Sequence, residues 1–339
     1  MVAAAFLNAA APSLAESALR DWRILSLSAS PRLKLRYLLD EKLPGSQGAV
    51  AAIVQDLALS PRKDRSGKLK FSAMPILNYD RNINDGIPSD IIMIAGLPFV
   101  VSEKSRAKEG LVIGFRALAR YQLPVTHGLS FETSIGVEVE HAPRWSYEKT
   151  IATSKVCLLY TTEYWSSLDV CATNIRKEAE GTEENRNQRS VKLGKVFSIK
   201  DVVAETNLTL QSQTLKGETQ LALGGGATWF RPGGQLYSFS IGTGQEKPGV
   251  AFPVVTARIG LGTEIAGEAT YFELGYTEES GAKFLGRDRI DRNAFLRVMR
   301  PVSNWLTADV VVQRKNSNIA ELSETTFALN FTMSGLNLH

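Results

Sequence analysis

The sequence predicts a mainly β fold, namely a closed antiparallel transmembrane β-barrel of about 14 strands with a short N-terminal helical segment. The first observation is a period of two in hydrophobicity that begins near Lys68 and continues almost to the end of the chain. The second is the length of the alternating segments, about ten residues, which suits a tilted strand that crosses a bilayer. The third is the final stretch, Trp305 to Met333, whose apolar strand has a free edge that needs a partner. Pairing it with the first strand closes a barrel.

The overall composition fits a membrane barrel as well as a soluble protein, because each spanning strand is half polar. The 339 residues are 44% hydrophobic with a mean hydropathy of −0.09. No run of apolar residues is long enough for a transmembrane helix. The formal net charge is +4, and the basic residues are scattered, so nucleic acid is not an expected partner.

Residues 1–65 are predicted to form a helical segment, and residues 66–339 the barrel. Within the first part, residues 31–44 and 48–59 carry apolar side chains at helical spacing, and Pro31 suits a first helical turn. The first fifteen residues have a weak apolar core but lack a positively charged start. They are either a degenerate signal peptide or part of a truncated helical-repeat domain, and the sequence leaves both interpretations open.

Fifteen alternating segments follow Lys68. They span residues 71–84, 90–103, 110–125, 129–142, 149–162, 164–177, 189–200, 202–214, 218–230, 235–245, 251–264, 268–278, 292–301, 305–315 and 324–334. Because bacterial single-chain barrels have even strand numbers, we expect about 14 or 16 strands after one pair is merged or split.

The two faces of these segments differ consistently. Along residues 110–125, Leu111, Ile113 and Phe115 lie on one face, while Arg116 and Arg120 lie on the other. A soluble β-sandwich would show the same alternation, but so many consecutive strands exceed a usual sandwich. Aromatic residues also gather near segment ends, where a membrane-interface girdle would place them. They are Tyr121, Trp145, Tyr160, Trp165, Trp229, Tyr237 and Trp305.

The connections between segments are predicted to alternate in length. We expect long charged loops at 181–188 and 279–293, and tight turns at 232–234 and 302–304. Short turns at one end and longer loops at the other are typical of a membrane barrel.

The two cysteines, Cys157 and Cys171, fall on successive predicted strands. They form either a disulfide across a hairpin or two unpaired thiols, and the sequence leaves both open. Neither their number nor their spacing suggests a metal site, and no cofactor is expected.

Charged residues on the polar faces are the main candidates for a functional site. On neighbouring strands the arginines and glutamates either neutralise one another or form a passage with opposed charges. The lumen and transport candidates are Arg116, Arg120, Glu132, Glu138, Glu140, Arg258 and Glu273. The three histidines, His127, His141 and His339, show no triad spacing with a serine, so no catalytic residues are expected.

Four stretches carry short motifs: the helical region Leu33 to Leu59, Leu77 to Gly86 with Asn-Ile-Asn, Phe284 to Arg292 with basic-x-Asp, and Gln313 to Ala320 with Asn-Ser-Asn-Ile. In order and spacing over residues 30–334, they resemble the surface lipoprotein assembly modifier family. The resemblance implies a 14-stranded outer-membrane barrel behind periplasmic tetratricopeptide-like helices, and a role in moving client proteins across the membrane.

Further candidates lie at the seam of the barrel and in the motif loops: Asn82, Asn84, Arg287, Asp288, Arg289, Asp291, Asn316 and Asn318. Two features depart from the family's pattern. The helical part is short, and the chain ends in Asn337-Leu338-His339 without a terminal aromatic residue, Phe331 being the nearest one.

Three functions follow as hypotheses. The first is an outer-membrane translocator without enzymatic activity, which delivers surface lipoproteins or secreted proteins to the cell surface. Its expected partners are outer-membrane lipids, client proteins, a periplasmic chaperone and the barrel-assembly machinery, with the helical segment in the periplasm. The alternative is a general or solute-selective diffusion porin, and the third hypothesis is a barrel enzyme that uses wall serine and histidine.

Overall fold

The computed structural model describes residues 14–42, 45–60, 67–84, 86–87, 89–94, 97–180, 182–303, 306–319 and 322–333. Three helices come first: α1 (Leu14–Ser26), α2 (Pro31–Glu41) and α3 (Gln47–Asp56). Helix α2 begins as the sequence predicts, because Pro31 occupies the first turn and the Ser30 hydroxyl accepts a hydrogen bond from the Leu33 backbone N–H. None of the helices in the described part of the chain is long and apolar enough to cross a membrane.

Fourteen long strands then form one closed antiparallel barrel, which confirms the predicted fold class. They are β1 (Lys68–Asp80), β4 (Gly110–Thr126), β5 (Leu129–Ala142), β6 (Tyr147–Thr161), β7 (Ser166–Ala179), β8 (Thr182–Ile199), β9 (Val202–Leu215), β10 (Glu218–Arg231), β11 (Gln235–Gly244), β12 (Phe252–Ile265), β13 (Glu268–Ser280), β16 (Asp291–Ser303), β17 (Leu306–Ser317) and β18 (Glu324–Met333). Two short hairpins lie outside the barrel sheet. They are β2 (Ile91–Ile94) with β3 (Leu97–Val100), and β14 (Lys283–Phe284) with β15 (Arg287–Asp288).

Each strand pairs with its neighbour in the sequence, and the first and last strands close the ring. Strand β1 pairs with β4 along its full length, and within the described residues it pairs with β18 at Ala73 and from Ile76 to Tyr79. The predicted closure is therefore confirmed, and it joins residues 68–80 to the final strand. The first strand ends at Asp80, so the motif residues that follow it are in a loop.

Two segment predictions are wrong. Residues 90–103 were expected to form a wall strand, but they form the hairpin β2–β3, which accounts for the odd number of predicted segments. Residues 181–188 were expected to form a loop, but β8 begins at Thr182. In that strand Arg186, Gln188 and Ser190 face the interior. The residues between them, such as Asn187, face outward and are also polar, so this part of the strand lacks the alternation of apolar and polar residues.

The two ends of the barrel differ, as predicted. At one end, the short-turn end, the connections include residues 127–128, 162–165, 200–201, 232–234 and 266–267. At the other end, the long-loop end, the connections include residues 81–109, 245–251 and 281–290. The start of β1 and the end of β18 both lie at the short-turn end, since Ala73 pairs with Met333.

The outward face of the wall is apolar across its middle. Large exposed side chains include Ile135, Leu193, Leu208, Ile241 and Leu274, and every one lies on the outward side of its strand. Four of the predicted girdle aromatics, Tyr121, Tyr160, Trp229 and Tyr237, lie near the short-turn end, and Trp229 stacks on Tyr237 at a ring-centroid distance of 5.4 Å. Trp305 lies outside the described residues.

The other two girdle candidates have different surroundings. Trp165 packs against the helices, where the Arg36 guanidinium lies 5.5 Å from the ring centroid. Trp145 donates its indole N–H to the Glu109 carbonyl oxygen at the long-loop end. Trp165 therefore contacts the helices at the short-turn end and Trp145 contacts a loop at the long-loop end, and neither belongs to an outward girdle.

Cys157 and Cys171 form a disulfide between β6 and β7, which decides between the two alternatives. They are cross-strand neighbours, so the bond links two strands that already pair. Cys157 is buried on the interior side of the wall, opposite Glu132 of β5. Such a bond persists in an oxidising compartment.

The outward apolar face yields the first prediction. Leu208 lies at the middle of β9 and faces outward, while its neighbour Thr209 faces the interior. We expect Leu208→Arg to lower the free energy of unfolding in lipid vesicles by about 2–4 kcal/mol, because it places a charge in hydrocarbon. The matched variant Thr209→Arg should have a much smaller effect. Urea titration with heat-modifiable gel mobility measures both, and equal losses would contradict a lipid-facing outer wall.

Candidate functional site: a polar lumen closed by a helical plug

Helices α1–α3 form a plug, which we define as these three helices at the short-turn end of the barrel. Ile24 and Leu25 of α1 and Leu33 and Tyr37 of α2 are fully or almost fully buried, and they pack in one cluster with wall residues. The wall side of that cluster consists of Val196, Val203, Phe230, Leu236 and Ala269. The helices that the sequence predicts thus pack their apolar faces against the interior side of β8–β13 at this end. Because these apolar side chains are removed from water only when the plug is docked, the hydrophobic effect holds the plug against the wall.

A buried ion-pair network joins the plug to the wall. Both terminal nitrogens of Arg32 donate to the carboxylate of Asp169 on β7 at 3.2 Å, and Nε donates to Oε1 of Glu205 on β9 at 3.2 Å. The side chains of Arg32 and Glu205 are 9% and 5% exposed. Burial by itself would lower the pKa of Arg32, but the hydrogen bond and charge of Asp169, together with Glu205, raise it. The guanidinium is therefore a fixed cation between two carboxylates.

A second contact is formed where α1 meets the turn between β10 and β11. The buried Asp21 carboxylate accepts a hydrogen bond from the Gly233 backbone N–H at 3.1 Å. It also lies near the Tyr37 hydroxyl, and burial together with the negative charge of Asp21 raises the pKa of that hydroxyl. At the edge of the plug, Arg23 donates to Glu264 at 3.2 Å in an exposed ion pair.

The third helix is joined to the other side of the ring. The Asp56 carboxylate accepts hydrogen bonds from Lys68 at 3.0 Å and from Lys70 at 2.9 Å, both on β1. The Gln122 amide of β4 donates to the Asp56 carbonyl oxygen, and the Gly128 backbone N–H donates to the Ala58 carbonyl oxygen at 2.9 Å. The plug is thus attached to strands on opposite sides of the barrel and lies across the short-turn end.

Beyond the plug, the lumen contains a polar cavity of about 680 Å³. Residues 27–32 and Lys34 of the plug form one boundary, and most of the wall strands contribute the rest. Lys155 and Lys192 line this cavity, as do Arg120, Glu132, Asp169, Glu205, Glu273 and Arg297. The lumen therefore presents charges of both signs.

The structure brings most of the predicted lumen residues into pairs. Arg116 of β4 forms an ion pair with Glu138 of β5, and Arg120 lies 3.7 Å from Glu132. Glu140 is paired with Lys149 of β6, a lysine that the sequence reasoning did not select.

The two remaining lumen candidates lie close together on the far side of the lumen. Arg258 of β12 lies 3.9 Å from Glu273 of β13, and its guanidinium is 5.6 Å from the centroid of the Phe295 ring. All seven predicted residues lie on the interior side of the wall, so the expected cross-strand pairing of charges is present.

Sequence reasoning missed the residues that close the lumen. Arg32 was read as part of a helix, and Asp169 and Glu205 as ordinary polar positions of their strands. Arg297 and Asp309 were also missed; they form a bidentate pair on the interior side, with both distances at 2.8 Å. The period-two pattern could have marked all four wall residues as interior, but it contains no information on which of them the plug reaches.

The predicted seam and loop residues organise the long-loop end. Asn82 and Asn84 lie in the loop after β1. The Asn82 side chain forms hydrogen bonds with the backbone of Gly86, and the Asn84 side chain donates to the Arg106 carbonyl oxygen and accepts from the Lys108 backbone N–H. Asn318 bonds the backbone of Asp288 and Ile290, which connects two neighbouring loops.

The remaining candidates of this group lie close by. Arg287 and Asp288 are exposed on the hairpin β14–β15, and Arg289 is paired with the buried Asp291. Asn316 is near the end of β17, where the Arg314 side chain donates to it at 3.1 Å. These side chains hold loops in place, and none of them lines the seam between β1 and β18.

The catalytic alternatives find no support in the described part of the chain. His127 and His141 lie at opposite ends of the barrel, in a short turn and near the end of β5, and each faces a glutamate. His339 lies outside the described residues. Among the described residues no group of three or more His, Cys, Asp or Glu side chains is arranged to hold a metal ion.

Comparison with known proteins gives a general architectural likeness. No family model matches the chain, and no curated protein matches it. Among solved structures, a BenF-like porin from Pseudomonas fluorescens Pf-5 matches with 8% identity and a TM-score of 0.39, covering 80% of this chain and 99% of the porin. OccAB1 from Acinetobacter baumannii matches with 9% identity and a TM-score of 0.42, covering 84% and 99%. At these identities and scores, neither match carries an argument about this chain's function.

The buried network gives the second prediction. We expect Arg32→Met to weaken attachment of the plug by about 3–5 kcal/mol, because it leaves Asp169 and Glu205 buried without a cation. Hydrogen exchange in α2 would measure this as faster exchange in the reconstituted protein. Arg23→Met is the matched control, since its exposed pair with Glu264 is worth about 0–1 kcal/mol. Equal exchange in both variants would contradict the role of Arg32.

Proposed function

We propose that this protein is an outer-membrane channel for small polar solutes, and that the plug keeps it closed at one end until it is displaced. The observation that carries the proposal is the buried contact of Arg32 with Asp169 and Glu205, at the edge of a polar cavity in the barrel interior.

The outer wall supports a membrane location. A closed barrel satisfies all wall backbone groups between strands, which is the condition for crossing a bilayer with β structure. The outward apolar side chains and the aromatic residues Tyr121, Tyr160, Trp229 and Tyr237 then match a hydrocarbon band with one interfacial girdle. Short turns and both chain ends of the barrel face the periplasm in this proposal, so the plug is periplasmic.

The lumen supports passage of small polar molecules. Its walls are polar and charged, and a cavity of about 680 Å³ is of the size that holds a small organic solute. The paired charges, such as Arg116 with Glu138, leave the lumen wet and of mixed sign. Lys155 and Lys192 add positive charge to the cavity wall.

The plug supports regulation of that passage. Diffusion through the barrel requires that α1 and α2 move away from β8–β13, and that Arg32 leaves its two carboxylates. The buried ion pairs make closure specific, because only a docked plug satisfies Asp169 and Glu205. The resting channel is therefore a closed one.

A second candidate function is delivery of client proteins, which the resemblance in the sequence implies. The structural feature that favours it is the seam, where the ring is closed by pairing between β1 and β18, two strands far apart in the chain. A seam between the first and last strands of the barrel is the natural place for a wall to open sideways. A lipid-anchored client would use that opening, whereas a small solute would not.

Planar-bilayer recording tests the closed channel. We expect the full-length protein to show little conductance, and Arg32→Met to show frequent openings because its plug docks less tightly. Arg23→Met serves as the control and should resemble the unmodified protein. Steady conductance of the unmodified protein, unchanged in Arg32→Met, would sink the idea of a closing plug.

The charged lumen can be tested in the same open background. We expect Glu138→Leu, combined with Arg32→Met, to shift the reversal potential in a salt gradient toward anion selectivity, because it leaves Arg116 without its carboxylate. Glu246→Leu, which removes an exposed glutamate from the loop at 245–251, is the matched control. If Glu138→Leu leaves selectivity unchanged, this face does not line the conducting path.

A further inference from the structure

The hairpin β2–β3 carries an unusual surface at the long-loop end. From Ile91 to Val101 the sequence contains no charged residue, and nearly every residue is apolar. Val100 is 80% exposed, Leu97 62% and Met93 53%. An exposed apolar patch of this kind marks an interaction site, because water is a poor solvent for it.

Both faces of the hairpin are apolar. In the hairpin register, Ile91 lies opposite Val100 and Met93 opposite Pro98, which places Ile91, Met93 and Val100 on one face. Phe99 and Leu97 lie on the other face, and both are exposed. Strands that are apolar on both faces normally have apolar surroundings on both. A docked protein covers one face, whereas lipid surrounds both.

Charged and polar residues surround the base of the hairpin. Asp90 is paired with Arg106 at 3.0 Å, and the Val101 backbone N–H donates to the Asp90 carbonyl oxygen at 2.9 Å. Asn82 and Asn84 fix the loop through the backbone bonds described above. The loop thus has a polar base fixed by hydrogen bonds and two apolar strands beyond it, which is the distribution of a segment that enters a membrane surface.

The position of the loop on the rim points to the same partner. Tyr79, near the end of β1, lies opposite Leu111 of β4 and Phe327 of β18, and all three are exposed outward apolar side chains. On this side the apolar outer face therefore reaches the long-loop rim. On β7 and β8, by contrast, Arg176 and Asn185 face outward near that rim. The hairpin therefore arises where the apolar outer surface reaches closer to the long-loop rim than it does on β7 and β8.

We propose that the hairpin β2–β3 inserts into the interfacial layer of the bilayer leaflet at the long-loop end, beside the seam between β1 and β18. The inference rests on the proposed membrane location of the barrel. The hairpin lies at the depth of the headgroups, because its two free edges carry backbone groups that hydrocarbon would leave without partners. It anchors the long loop to lipid next to the place where the first and last strands close the ring.

Spin labels on single introduced cysteines test this in the full chain, because Cys157 and Cys171 are already bonded to each other. The variants are Val100→Cys and Leu97→Cys for the two faces of the hairpin. Leu285→Cys is the matched control, since it is an exposed leucine in the other hairpin at the same end of the barrel. Leu193→Cys reports the outer wall itself.

The measurement compares accessibility to oxygen and to a water-soluble nickel chelate in phosphatidylcholine vesicles. We expect the oxygen-to-nickel ratio at Val100 and Leu97 to exceed that at Leu285 several-fold and to stay below that at Leu193, because the headgroup layer lies outside the hydrocarbon that surrounds the wall. Hairpin ratios equal to that of Leu285, with Leu193 still high, would overturn the inference and leave the membrane barrel intact. Low accessibility to both reagents at either hairpin face would assign that face to a protein contact and overturn it as well. A low ratio at Leu193 would overturn the proposed membrane barrel too.

Discussion

Backbone pairing between the first and last strands is the constraint on which the rest of the structure depends. A terminal strand with apolar residues such as Phe327 and Leu329 is stable here because β1 covers its edge. Once the ring is closed, the alternation along each strand sorts side chains into an outward apolar set and an inward polar set. A slip by one residue would exchange the two sets, so the register at the seam determines the chemistry of both surfaces.

The polar lumen that closure creates carries its charges mostly as pairs, and the plug takes part in that pairing. Arg32 stands out because it is supplied by a helix, far from the wall in sequence, and is buried between carboxylates from β7 and β9. Taking three charged groups out of water costs free energy that their geometry must recover. Such a contact favours one docked position of the plug over others.

Particular residues show how far sequence reasoning reached. The faces of β4 and β5 were predicted from alternation alone. Pairing of the arginines of β4 with the glutamates of β5 was one expected arrangement, because neighbouring antiparallel strands place such residues together, but the specific pair Arg116–Glu138 came from the register in the structure. The segment at 90–103 was misread as a wall strand because its β-forming residues are apolar on both faces. The start of β8 was misread as a loop because its outward residues are polar, as they are where a strand extends past the apolar band. Both errors arise where the surroundings of a strand differ from those of the central wall.

What the sequence by itself determined is the local pattern: helices before residue 68, a barrel after it, and the face on which each strand residue lies. These properties depend on spacing within a few residues, through the two periods of backbone geometry. The tertiary structure decided the strand count, the disulfide and the site. Whether Cys157 meets Cys171, and whether Arg32 reaches Asp169 and Glu205, depends on register and on how a helix enters a closed ring. Those distances are set by contacts between residues far apart in the chain, which no local pattern encodes.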